Sequence, residues 1–307
     1  MSYKLGQLPS PGATRSENAD FLEVQCFLSA EGSYSIVEAA QALGIVNDEE
    51  DNRIEQELSF FDVLSIIDER QRASNGNYPF VTDGYSVCIN HECPKLAHDI
   101  YIYLLFATRH YMGETRVIEG LDGTALFEKL CAEVLKKYFG ESSYSFVFGT
   151  GDNEHASFDD KIKNLISQLK EPKYAMRRPE GDTRHQRDDK LDVVAHIPFN
   201  DKRMGQFIAF AQCKTGDSWK TSIGLLKPSD FSKNYFDPVL NFTPITVNMV
   251  SESFSNDWER IARDVVFFDR CRLMRFLPDA INPDLEKDIN RWTNGVMQLM
   301  QNCIIAT

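Results

Sequence analysis

In the stretch Asp189-Lys190-Leu191-Asp192-Val193-Val194-Ala195-His196-Ile197 and the run Gln206-Phe207-Ile208-Ala209-Phe210-Ala211-Gln212-Cys213-Lys214, Leu191 to Ile197 and Gln206 to Lys214 read as two strands joined by Pro198 to Gly205. Both are nearly continuous apolar runs, the pattern of strands covered on both faces. The second ends in Gln212 and Lys214, polar groups that a core strand does not admit without a use, since lysine is almost never buried unpaired. Residues i and i+2 share a face, so Gln212 and Lys214 point one way and Cys213 the other. Asp192 stands twenty residues before Gln212, at the start of the first strand. If the strands pair, a carboxylate, an amide oxygen and an ammonium come together at one end. Hard oxygen donors of this kind hold a divalent cation, and a lysine beside it orients or activates a nucleophile.

Upstream, Gly123 to Gly140 reads as an amphipathic helix with Leu126, Phe127, Leu130, Val134 and Leu135 on one side. Glu128 on that helix is a candidate second carboxylate, and Glu133 competes with it. Tyr144 to Phe148 reads as a strand and Phe158 to Leu169 as a helix. Downstream come a loop-rich stretch with Pro228 and Pro238, a strand at Ile245 to Val250, a helix from about Asn256, a strand around Val265 to Leu273 and a terminal helix from Pro283 to Met300. Helices interleaved with a few strands place the chain in the α/β class. Residues 1–18 read as a loose lead-in. A helix from Asp20 follows, and Ser35 with Glu38 forms a capping box for a second, Ile36 to Leu43. A third, from Leu58 to about Arg72, precedes a hairpin over Tyr78 to Ile89 with Asp83-Gly84 at its tip, and Pro94 to Tyr111 reads as a connecting helix. Three helices and a hairpin are the order of a winged-helix module. The divisions this predicts are 1–18, an acidic helical module 19–112, and an α/β domain 113–307.

The 307 residues carry a net charge of −13, which alone opposes nucleic-acid binding. The charge is unevenly spread: residues 1–120 hold 19 acids against 8 bases, and residues 121–307 hold 27 against 25. The acidity therefore belongs to the N-terminal module, which predicts docking to a basic protein surface there and leaves the remainder free to carry a basic groove. Lys173, Arg177, Arg178, Arg184 and Arg187, set against Glu180 and Asp182, form a basic loop leading into Asp192 and are candidate phosphate contacts. Trp219 and Lys220 are further candidates, with a core role for the tryptophan as the competing reading. Cys88, His91, Cys93 and His98 do not match the usual zinc spacings. Seven cysteines without a small-domain framework and an N-terminus without an apolar leader predict a reducing, cytoplasmic setting, and no apolar run is long enough to span a membrane.

The runs Gly123-Thr-Ala-Leu-Phe127-Glu128, Asp189-Lys-Leu-Asp192-Val-Val-Ala195 and Phe207-Ile-Ala-Phe-Ala-Gln212-Cys213-Lys214 resemble the catalytic core of the PD-(D/E)xK nuclease superfamily, and within it the Mrr-type restriction endonucleases. The resemblance covers about residues 121–220. It implies a restriction-endonuclease-like core, a mixed sheet flanked by helices, that hydrolyses phosphodiester bonds with Mg²⁺ or Mn²⁺. Asp192, Glu128, Gln212 and the Cys213 backbone carbonyl would then be metal ligands, Gln212 standing in for the usual second acid, and Lys214 the catalytic lysine. The chain departs from the common pattern in its long insertion before Asp192. The resemblance further implies DNA as substrate and a part in bacterial defence, with an ATPase or sensor as the partner of the acidic module. Nothing in the sequence separates DNA from RNA. The rival reading is a non-catalytic interaction protein on the same scaffold.

Overall fold

A computed structural model describes residues 4–10, 12–43, 50–110, 112, 115–148, 157–175, 190–199, 201, 203–216, 218–254 and 258–305, the backbone alone at 50–61, 218 and 301–305. The chain begins with α1 (Arg15–Leu28), β1 (Ser33–Ser35), α2 (Ile36–Ala42), α3 (Glu50–Ala73), β2 (Phe80–Thr82), β3 (Ser86–Ile89) and α4 (Lys95–Arg109). Ser35 caps α2 with the expected box: its hydroxyl accepts the Glu38 N–H, and the Glu38 carboxylate accepts the Ser35 N–H. Among its described residues the lead-in is tied down. Thr14 and Glu17 form a second capping box that starts α1 at Arg15, and the Leu5 N–H donates to the Arg109 carbonyl. The strands β1, β3 and β2 pair antiparallel in that order.

Next come the short hairpin β4 (Val117–Ile118) and β5 (Leu121–Asp122), then α5 (Gly123–Phe139), β6 (Tyr144–Val147), α6 (Phe158–Leu169), β7 (Tyr174–Ala175), β8 (Val193–Ile197) and β9 (Phe207–Lys214). Gly140 ends α5 at a φ of 94°, a left-handed value that a side chain resists. The chain closes with α7 (Pro228–Tyr235), β10 (Phe236–Asp237), β11 (Ile245–Val250), α8 (Trp258–Ile261), β12 (Val266–Phe268), α9 (Arg270–Arg275) and α10 (Pro283–Ile305). Two downstream expectations are corrected. The loop-rich stretch contains α7, with Pro228 in its first turn, where the missing N–H costs nothing. The strand expected over Val265 to Leu273 stops at Phe268, because the Asp269 side chain accepts the Arg272 N–H and caps α9.

The protein is mixed α/β, built on a five-stranded sheet in the order β12-β11-β9-β8-β6. β8 pairs antiparallel with both β6 and β9, whereas β11 is parallel to both β9 and β12. Strand alternation divides the side chains. Val193, Ala195, Ala209, Ala211, Cys213, Val247 and Met249 face α5, while Val194, Ile208 and Phe210 face α6 and α7. The α5-side core is continuous with that of the N-terminal helices, and one apolar cluster reaches from Ala19 to Met300.

A buried ionic network crosses the same junction. Asp20 on α1 pairs with Arg70 at 2.7 Å, Arg109 at 2.6 Å and Arg270 at 2.9 Å, and Glu23 accepts hydrogen bonds from Tyr78 and Tyr101. Burial opposes the charged form of Asp20, yet Arg270, Arg109 and Arg70 together hold its carboxyl far below the usual range. Arg270 belongs to α9 and Asp20 to the N-terminal module, so the expected boundary at residue 113 is spanned by both the core and this network.

Gly123 opens α5 beneath Trp292. A Cβ there would lie 2.7 Å from the indole ring and from the Met112 methyl. Gly123→Ala is accordingly expected to destabilise the fold by about 1–3 kcal/mol through overpacking, read as a lowered calorimetric midpoint.

Candidate metal and catalytic site

Asp192 lies one residue before β8 and continues its pairing with β9. Its N–H donates to the Ala211 carbonyl at 2.9 Å, and its carboxylate accepts the Cys213 N–H at 2.7 Å. β8 pairs with β9 only as far as Val193 opposite Ala211, so the Asp192 side chain takes over the next ladder position. This anchors a 4% exposed carboxylate against the backbone of the residue between Gln212 and Lys214. The cause is local. The chain leaves the strand at Asp192, and an aspartate is short enough to bond the neighbouring backbone.

Gln212 is 2% exposed, and its side-chain oxygen is buried without a hydrogen-bond partner among the described residues. A buried amide oxygen left in this state costs about 1–3 kcal/mol. Asn248 on β11 stands in register with Gln212, and its side-chain nitrogen is unpartnered as well. Sequence reasoning passed over Asn248. Its signal was the same as that of Gln212, an amide in the middle of an apolar strand, Ile245-Thr-Val-Asn248-Met-Val250. Lys214, half-buried at the end of β9, has no ion-pair partner within 4 Å among the described residues.

Glu128 reaches the region from the opposite side of the sheet. It is 9% exposed on α5, one turn before Cys131, whose thiol acts electrostatically on that of Cys213. Burial pushes both thiols up, and the negative charges of Glu128 and Asp192 push them further, so the pair stays protonated and unreactive. Two carboxylates thus flank one thiol pair. By strand alternation Gln212 and Lys214 occupy the face away from α5, so a cation shared with Glu128 has to sit at the end of the sheet, where β8 stops. Glu133, the competing helix carboxylate, faces elsewhere and lines a cavity with Asp284 and Asp288.

The candidate oxygen donors at this end of the sheet are Asp192, Glu128 and the amide oxygen of Gln212. Among the described residues no group of three or more His, Cys, Asp or Glu converges, so a cation here depends on amide and backbone oxygens beside its carboxylates. Oxygen donors of that kind suit Mg²⁺ or Mn²⁺ better than zinc.

The candidate nucleic-acid contacts fare unevenly. Trp219 is corrected to a core residue: it is 1% exposed, packs on Phe254 and Phe267, and donates its ring N–H to Glu252. It has no surface to offer a polynucleotide. Lys220 is exposed and lies 3.6 Å from the Glu252 carboxylate. Lys173 is exposed, while Arg177, Arg178, Arg184 and Arg187 lie outside the described residues. Among the described residues no helix is long and apolar enough to cross a membrane. Comparison of the chain with protein-family models, curated proteins and solved structures returns no significant match.

Proposed function

We propose that the protein is a divalent-metal-dependent nuclease of restriction-endonuclease-like fold. The observation that carries this is the Asp192 carboxylate fastened to the Cys213 N–H, between a buried Gln212 oxygen with no partner and Lys214. A sheet that runs β6, β8, β9 antiparallel and then turns parallel at β11, with α5 across one face, supports the same reading.

When bound, Mg²⁺ supplies a water of lowered pKa and neutralises charge on the phosphate. Asp192 and Gln212 would hold it through their oxygens, with Glu128 bearing on the cation or its water from the α5 side. The Cys213 N–H keeps one Asp192 oxygen occupied and so fixes the direction in which the other presents. Lys214 orients the attacking water and places a positive charge where the phosphate gains negative charge.

The helix-strand-helix-helix-hairpin order of the N-terminal part supports a winged-helix reading, and its acidity supports docking to a basic protein surface. The first test is cleavage of labelled DNA and RNA by the whole chain in Mg²⁺ or Mn²⁺ and in EDTA. Cleavage of one substrate that EDTA abolishes is expected, and no cleavage under any condition overturns the proposal. Glu128→Gln is expected to lower the rate by about 10–100-fold, as for residues that orient a metal site, with the melting midpoint unchanged.

A further inference from the structure

The β6 edge of the sheet carries a second concavity, at the far end of β8 from Asp192. Its volume is about 600 Å³, and Tyr144, Lys170, His196, Phe199, Arg203 and Gln206 contribute to its walls. Four residues along β8 separate His196 from Asp192, roughly 13 Å at 3.3 Å per residue. Tyr144 stands opposite His196 in the β6–β8 register, so the two rings share a face; their centroids are 5.7 Å apart and their planes 33° from parallel. Tyr144 is 61% exposed and Phe199 62%. A single exposed aromatic is ordinary, but two beside one cavity with cations at its rim make a stacking platform.

Hydrogen bonding fixes the chemistry of the inner wall. The Gln206 amide nitrogen donates to the Leu169 carbonyl, which turns its oxygen toward His196 Nδ1 at 2.9 Å. The imidazole must donate there, so in the neutral ring Nε2 is the acceptor. Burial lowers the imidazole below its usual value, the Gln206 hydrogen bond opposes this in part, and the nearby Lys170 charge adds to the lowering.

Two cations, Lys170 and Arg203, stand at the rim. Lys170 follows α6 at a φ of 56° and has no ion pair within 4 Å among the described residues. Arg203 is 85% exposed, with Asp201 at 3.9 Å. The adjacent acid, Glu171, is turned inward, where its carboxylate accepts the Gly205 and Gln206 N–H groups at 2.9 and 3.4 Å.

We propose that this cleft binds a single-stranded polynucleotide, with a base stacked on Tyr144 and Phe199 and its phosphates on Lys170 and Arg203. The proposal rests on the nuclease reading and deepens it, naming a single-stranded segment as the part of the substrate held beyond the cleavage site.

The test is fluorescence anisotropy of labelled dT10 and rU10 with the whole chain in EDTA, where cleavage plays no part. Tyr144→Ala/Phe199→Ala is expected to weaken binding by at least about tenfold at every salt concentration, as loss of base stacking does. Lys170→Ala/Arg203→Ala is expected to weaken it at low salt and to flatten the salt dependence by about 1.4 in slope, 0.7 for each phosphate contact. Asp192→Asn is expected to lose cleavage in Mg²⁺ and, in EDTA, to bind at least as tightly as the wild type, since a carboxylate that opposes phosphate is gone, so failure at the cleft and failure at the cleavage site are read separately. The relative affinities for dT10 and rU10 assign the sugar. Absence of binding, unchanged affinity in both double variants, or equal affinity for polyglutamate competitor and oligonucleotide would each overturn the cleft assignment. Tyr144, Phe199 and Arg203 are solvent-exposed, and an unchanged melting midpoint for each variant confirms that its fold is intact.

Discussion

Lys214→Ala and Asp192→Asn are each expected to lower divalent-metal-dependent cleavage by at least about 10²–10³-fold, the range seen when one preorganised electrostatic group is removed from an active site. The two losses should differ in kind. Asp192→Asn removes the anionic oxygen that a hard cation requires, so calorimetric titration with Mn²⁺ should lose most of its binding heat. Lys214→Ala leaves the carboxylates in place and should bind Mn²⁺ at least as well as the wild type, since a neighbouring positive charge is gone. Both variants should stay folded, because Asn still offers an oxygen to the Cys213 N–H and Lys214 is only half-buried at a strand end. Full cleavage by Lys214→Ala would remove the lysine from the mechanism. Unchanged Mn²⁺ affinity in Asp192→Asn would make Asp192 a structural cap on β8 and no ligand.

Arg270→Met is expected to destabilise the protein by roughly 3–5 kcal/mol, the cost of breaking a buried ion pair from one side. For a chain of this size that corresponds to on the order of 10 °C in melting midpoint. Arg270 is fully buried, and its guanidinium donates to Asp20, to Thr108 and to the Ser251 carbonyl. Its loss would strand part of that acceptor set without water. The pH dependence follows from Asp20. Its carboxyl is held down in the folded state by three arginines, so the stability it contributes is present above its unfolded value near 4 and is lost as pH falls below that. Asp269 acts in the opposite sense, since burial raises its carboxyl and folding there favours the protonated form. Acid unfolding of the wild type below about pH 4 that is shallower in Arg270→Met is the expected pattern, followed by circular dichroism. A midpoint shift corresponding to less than about 1 kcal/mol would show that Arg70 and Arg109 satisfy Asp20 without Arg270.

The elements most legible in the sequence were those whose residues carry a complete local signal. The α2 helix announces itself through Ser35 and Glu38, α5 through an apolar stripe ended by Gly140, and β9 through an unbroken apolar run. Those signals are physical properties of neighbouring residues, and tertiary contacts had only to agree with them. Where the chain misled, a local competitor had been overlooked. Thr14 and Asp269 are cap residues in stretches that look like a loose leader and a strand, and an N-cap bond decides a helix start within one turn.

By itself the sequence determined the α/β class, the strand that carries Gln212 and Lys214, the strand that Asp192 precedes, and the face that Gln212 and Lys214 share, because alternation along a strand depends only on residue number. Only the tertiary structure decided the rest. That Asp192 is anchored to the Cys213 N–H, that Glu128 and not Glu133 lies on the thiol pair behind the site, that Asn248 stands beside Gln212 and that Trp219 is interior all depend on which strands and helices become neighbours. The same holds for Asp20 and Arg270, which are 250 residues apart and fully buried against each other. No periodicity connects such positions. Their partnership arises when folding removes water from both charges at once and leaves each as the other's remaining solvent.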